Sequence, residues 1–404
     1  MRIVFLSPTG ELGGAERALL DLLAGLRDAQ PSWVLHLVAA SAGPLAARAG
    51  EYGVPTAVLP FPRSLARVGE WGRRRGPFDR AVLVAGLCRA AIPAAGYAGR
   101  LRRLLADLRP DILHTNGLKM HLLGAWARSP GTAVVWHLHD YPGARALTAR
   151  LLRRHVRRCA GIVTNSASVA ADARSVFGNR VRIDPVPNAV DLGRFSPDGP
   201  VLDLDRLAGL PPAAPGVVRV GLVATFARWK GHLTFLSALA GLSPDARVRG
   251  YIIGGPFYHT DRSQFSAEEL RGAAATLGLS DRVGFTGPVP DTAPAYRALD
   301  VVVHASTEPE PFGLVIAEAM ACGRPVVTTA AGGAAELAAG AFHALICPPG
   351  DAGALADRIA QLAADPGLRQ RLGTAGRELA VERFARRRMA RLLVPIYEAL
   401  APAD

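Results

Sequence analysis

Val301-Val302-Val303-His304 leads into Glu308-Pro309-Glu310-Pro311-Phe312-Gly313-Leu314-Val315-Ile316-Ala317-Glu318-Ala319-Met320. An apolar β-branched run, a Pro-Phe-Gly turn and an Ala-rich apolar segment predict a buried strand, a tight connection and a helix. A helix starting near Gly313 points its unbonded N–H groups beside Glu310, while Glu318 lies five residues into the helix. One segment thus offers an anion site between two carboxylates. Carboxylates are poor partners for phosphate and good acceptors for hydroxyls, so the pattern suits a phosphate flanked by two polyols, a ribose and a second sugar.

The same alternation recurs outward from this stretch. Short Val/Ile-rich runs at 3–6, 34–39, 111–114, 133–137, 161–164, 219–223, 250–253, 282–286, 301–304 and 325–328 are each followed by a longer Ala/Leu/Arg segment. Repeated strand–helix units imply parallel sheets covered on both faces, an α/β class of doubly wound, Rossmann-like domains. At 404 residues the chain suffices for two such domains. The Pro-rich stretch from Ser196 to Gly216 contains no strand-like run and marks the seam. The expected division is 1–196, a linker at 197–216, and 217–384, with ligands bound at the carboxyl ends of strands in a cleft between the two.

Half the residues are apolar, 20% are charged, and mean hydropathy is +0.18, which excludes a disordered chain. The four cysteines stand far apart without a C-x-x-C pair, so neither a zinc site nor a disulfide framework is expected. The first apolar run is too short for a signal peptide. The best membrane-span candidate, Ala81–Gly99, carries Arg89 and Pro93 and reads as a core helix. A cytoplasmic location is expected. The net charge of +13 is concentrated: Arg63–Arg109 holds eleven arginines against three acids, and Tyr141–Ala160 holds six with none. Such a face attracts anionic surfaces or nucleic acid. Lys119 and Lys230 are the only lysines.

After the first strand, Gly13-Gly14-Ala15-Glu16-Arg17 opens a helix, and its paired glycines allow backbone N–H groups to approach an anion. G-x-G-x-x-G does not fit these positions, which disfavours a nicotinamide enzyme. The Glu310–Glu318 spacing resembles the E-x7-E motif of family 4 retaining glycosyltransferases of the GT-B fold. Gly13–Arg17 resembles that family's glycine loop, and His139-Asp140 its cleft histidine. Asn165-Ser166, Pro187-Asn188-Ala189-Val190-Asp191 with Arg194-Phe195, and Gly332-Gly333 with Glu336 resemble its later segments, in the same order along the whole chain.

The resemblance implies a retaining glycosyltransferase moving a sugar from a nucleotide-sugar donor, a UDP-sugar favoured over a GDP-sugar, to a glycan, lipid-linked or small-molecule acceptor. It implies that Lys230 contacts the donor diphosphate, Glu310 holds sugar hydroxyls, Phe312, Gly313 and Leu314 present amides, Glu318 binds ribose, and His139 touches the donor sugar. Gly13, Gly14, Thr225, Gly287 and Val289 complete the donor set, the last two near the base. His137 is expected to face away from His139. The C-terminal helix, 385–404, is expected to cross back onto the first domain.

Relatives carry an arginine where this chain has Thr225, and Arg228 is the residue expected to supply that charge. Asp203-Leu204-Asp205 is the only D-x-D, and its place in the linker argues against a metal site, so no metal or other cofactor is expected. The expected partners are the donor, the acceptor and, peripherally, an anionic membrane at its inner face. Nucleic acid is not expected, because the Arg-rich stretches lack interleaved aromatics. The competing readings are a non-catalytic protein binding anionic surfaces or nucleic acid, and a sugar-nucleotide epimerase of similar fold.

Overall fold

Ile3 and Phe5 pack into one apolar cluster while Val4 and Leu6, between them, pack into another. That alternation is the mark of a strand covered on both faces. It repeats at Val301 and Val303 against Val302. The computed structural model describes residues 1–66, 77–243, 245–256, 263–339 and 344–402, the side chains of 66–90 excepted. Its strands are β1 (Arg2–Ser7), β2 (Val34–Ala39), β3 (Thr56–Val58), β4 (Ile112–Asn116), β5 (Ala133–Leu138), β6 (Gly161–Thr164) and β7 (Arg182–Pro185) in one sheet. The other sheet holds β8 (Val218–Val223), β9 (Val248–Ile253), β10 (Val283–Gly287), β11 (Val301–His304), β12 (Val326–Thr329) and β13 (Ala344–Cys347).

Every described strand pairing is parallel. The orders are β3-β2-β1-β4-β5-β6-β7 and β10-β9-β8-β11-β12-β13, so the two sheets share one winding scheme. In each, the order reverses beside the first strand, between β1 and β4 and between β8 and β11. At such a switch point the connections diverge to opposite faces and leave a crevice at the carboxyl ends.

The chain divides into a unit of 1–189 with 386–404 and a unit of 190–385. The seam thus precedes the Pro-rich stretch expected to be a linker at 197–216, and that stretch belongs to the second unit. The physical reason is Asp205, a buried carboxylate that accepts from Arg219, Arg249 and the Tyr251 hydroxyl and so ties the segment to β8 and β9. Burial opposes its ionisation, but these donors and the Ala213 amide hold it well below the usual carboxylate range. Asp203 caps the helix Leu204–Ala208. Both acids of the D-x-D are thereby engaged within the fold.

The C-terminal helix Arg386–Leu400 belongs to the first unit, where Arg386 pairs with Asp21 at 2.7 Å on the helix Gly14–Ala29. Cys159, Cys322 and Cys347 are free and buried, their thiols pushed up by burial. Ala81–Gly99 falls within the helix Pro77–Leu108. Cys88 and six arginines of the first basic stretch (Arg67, Arg73, Arg74, Arg75, Arg80 and Arg89) lie outside the described side chains. Among the described residues no helix is long and apolar enough to cross a membrane.

Candidate functional site

In the second unit the predicted residues gather at the switch point. Lys230 follows β8 and Glu310 follows β11, and Lys230 Nζ donates to Glu310 Oε2 at 2.7 Å. Gly231 makes this approach possible. Its φ is +76°, and a Cβ there would stand 1.8 Å from the Ala305 carbonyl oxygen, so only glycine lets the Lys230 turn reach the end of β11. The Lys230 ammonium also lies 3.9 Å from the Trp229 ring centroid.

Glu310 Oε2 receives two further donors, Ser306 Oγ and His304 Nε2, each at 3.1 Å, and His304 Nδ1 pairs with Thr328 Oγ1 at 3.0 Å. Burial opposes ionisation of Glu310, but the Lys230 charge and the His304 hydrogen bond outweigh it and hold the carboxyl well below its ordinary range. Its backbone is fixed as well. Gly333 donates to the Glu310 carbonyl at 2.7 Å, and Glu310 bridges to Gly332. The late Gly-Gly turn therefore positions the carboxylate.

Beyond Glu310 the helix Leu314–Ala321 begins after Gly313, whose φ is +96°. Its first-turn amides at Leu314 and Val315 have no partner within the helix. Phe312 is buried in the core, and Glu318, also buried, accepts from Tyr296 Oη at 2.8 Å. Gly287 ends β10 with φ +72°, and Val289 packs against the core beyond it. Thr225 is half-buried after β8.

Arg228 is turned to other partners. Its guanidinium pairs with Glu269 at 3.0 Å and stacks 4.3 Å from the Phe265 centroid, an exposed arrangement. The positive charge set against Glu310 in this structure is that of Lys230.

In the first unit, His139 lies just past β5, half-buried, with Nε2 at 3.0 Å from Asn116 Oδ1 and its carbonyl accepting from Asn165 Nδ2 at 3.3 Å. Burial lowers its pKa to about 4, so the ring is neutral near pH 7. The expectation that His137 faces away is overturned. Residues two apart on a strand share a face, and the His137 and His139 rings lie 4.1 Å apart. His137 in turn meets His114 at 3.3 Å, and His114 meets Tyr397 of the C-terminal helix at 2.8 Å.

The Gly13 amide, at the start of the helix Gly14–Ala29, donates to Glu16 Oε2 at 3.2 Å, and Gly14 is exposed. Burial raises the Glu16 pKa, and Asp140 adds to that rise.

The chain matches family models over most of its length: "Glycosyltransferase Family 4" at residues 12–194 and "Glycosyl transferases group 1" at 216–379. The lipopolysaccharide core biosynthesis mannosyltransferase LpsB of Rhizobium meliloti is 31% identical over 303 residues, which cover 69% of this chain and 83% of that protein. The chain belongs to glycosyltransferase family 4. This family 4 member is also similar to the D-inositol 3-phosphate glycosyltransferase of Xylanimonas cellulosilytica, 34% identical over 244 residues, 58% of this chain and 56% of that one. It thus spans little more than half the length of that relative. A crystal structure of Anabaena HepE in complex with UDP and glucose superposes with a TM-score of 0.80 at 25% identity, covering 99% and 100% of the two chains. The fold is GT-B, two Rossmann-like units.

Sequence reasoning did not single out His304, Ser306, Thr328, Tyr296 or Asn116. His304 and Ser306 stand within six residues of Glu310 at a strand end, the one local signal that could have found them. Thr328, Tyr296 and Asn116 meet His304, Glu318 and His139, respectively, each from a separate strand or helix of the same unit.

Proposed function

We propose that this family 4 member transfers a sugar from a nucleotide-sugar donor, with retention at the anomeric carbon and without a metal. The observation that carries the reading is the Lys230–Glu310 pair at the β8/β11 switch point, with Glu318 eight residues further on. Lys230 neutralises charge developing on the departing diphosphate, together with the amides at Phe312, Gly313 and Leu314. Glu310, ionised and orientated by His304 and Ser306, accepts hydroxyls of the transferred sugar. Glu318, orientated by Tyr296, accepts from the ribose. His139 offers a neutral ring to a sugar hydroxyl, while Gly287 and Val289 flank the base. With Lys230 against the leaving group, Arg228 is assigned to its Glu269 pair.

The HepE complex supports UDP as the donor's nucleotide. The acceptor is a glycan, a lipid-linked sugar or a small molecule. Arg145, Arg150, Arg153, Arg154, Arg157 and Arg158 are all exposed on or beside the helix Ala146–His155, which supports peripheral contact with an anionic cytoplasmic membrane face. A panel of UDP- and GDP-sugars tests the reading by nucleotide release. Turnover with a UDP-sugar that falls about 100-fold in Glu310→Gln is the expected result. Absence of both release and nucleotide binding across the panel would refute it.

A further inference from the structure

His114, His121 and His137 are buried in the first unit and His139 is half-buried, and burial lowers the pKa of each. A buried neutral imidazole has one donor and one acceptor nitrogen, and its neighbours decide which is which. For His139 they decide it fully. Asn116 Nδ2 donates to the Leu6 carbonyl at 3.4 Å, which orients the amide so that Oδ1 points to His139. A carbonyl oxygen only accepts, so His139 Nε2 carries the proton. Nδ1 is then a bare acceptor. It is buried and, among the described residues, has no hydrogen-bond partner.

The ring plane is held from behind. His137 lies against His139 at 4.1 Å between centroids, His114 holds His137 Nδ1 at 3.3 Å, and the Tyr397 hydroxyl holds His114 Nδ1 at 2.8 Å. A buried acceptor without a partner is destabilising, because it has given up water and gained nothing in return. A site that maintains one, with its tautomer and plane both fixed, is prepared for a donor brought by a ligand.

We propose that Asn116 is a positioning residue that locks His139 in the Nε2–H tautomer, leaving Nδ1 to accept a hydrogen bond from a hydroxyl of the bound sugar. The inference rests on the assignment of His139 to the sugar, and it makes His139 a fixed acceptor rather than an acid or a cation. His137, pinned through His114 to Tyr397, backs the ring, so the C-terminal helix takes part in holding it.

The test uses the full chain labelled with nitrogen-15 in histidine, the His139 signals being identified by their loss in His139→Ala. In the wild type the proton should sit on Nε2 alone. Asn116→Ala should give a mixture of tautomers and a kcat roughly tenfold lower, the size of one neutral hydrogen bond, with KM for the nucleotide-sugar within about twofold. Asn116→Asp, which keeps an acceptor facing Nε2, should restore the Nε2–H signature and most of the rate. A wild-type ring protonated on Nδ1, or an Asn116→Ala variant that keeps both the single tautomer and the full kcat, would overturn the lock. Full activity in His139→Ala would instead overturn the sugar contact, while the spectra judge the lock independently.

Discussion

Replacing Lys230 by methionine removes the ammonium set against a buried carboxylate, and the consequence depends on pH with a definite sign. Lys230 and Glu310 are 2.7 Å apart with side chains 19% and 12% exposed. Removing one partner of a buried pair costs about 3–5 kcal/mol, and the partial exposure here, with His304 and Ser306 still donating, places the loss at about 3 kcal/mol. For a unit of this size each kcal/mol is worth about 2–4 °C, so the Tm of the 190–385 unit should fall by about 6–12 °C near neutrality.

In the intact protein the Glu310 pKa is depressed, so its contribution is complete above the unfolded carboxyl value of about 4.3 and is lost as pH falls through the lower folded value. Without Lys230, burial dominates and the folded pKa rises above the unfolded one. The variant is then penalised increasingly as pH climbs past about 4.3. The gap in Tm between the two proteins should be smallest at acid pH below the folded Glu310 value, already substantial near pH 4, and full by about pH 7. Scanning calorimetry at several pH values reads this directly. A gap of constant size across the range, or no fall near neutrality, would refute the electrostatic account of the pair.

Tyr296→Phe removes the hydroxyl that orients Glu318. KM for the nucleotide-sugar should rise roughly fivefold with kcat nearly unchanged, as steady-state kinetics would show. Gly231→Ala places a Cβ against the Ala305 carbonyl in a left-handed turn, so the variant should lose nucleotide binding by calorimetry and unfold at markedly lower temperature. Arg228→Ala removes an exposed ion pair and the stack on Phe265, so stability should change little, with kcat preserved. Replacing Arg150, Arg153, Arg154, Arg157 and Arg158 by glutamine should reduce sedimentation with anionic vesicles while nucleotide release in solution continues.

The strands legible in the sequence are those buried on both faces, such as Val301–His304 and Gly161–Thr164, because double burial demands an unbroken apolar run. β3, β7 and β13 escaped the reading. Each is a sheet edge of three or four residues with exposed positions, and β7 even carries an Arg182–Asp184 ion pair, so neither length nor hydropathy marks it. Proline spacing misled the domain seam, since the pairing of Asp205 with Arg219 and Arg249 joins residues far apart in sequence.

The functional residues divide by the same physics. Spacing within one strand–turn–helix segment was enough to single out Glu310 and Glu318, because local geometry alone brings them to a strand end. Lys230 stood out by residue type and by resemblance, and only the β8–β11 neighbourhood shows that its partner is Glu310, eighty residues away. That His304 and Ser306 hold this carboxylate, and that Asn116 chooses the proton position on His139, depends on hydrogen bonds that act over about 3 Å between groups the chain order does not relate. Periodicity reports burial, whereas directional contacts between elements arise only once the sheets have set their neighbours.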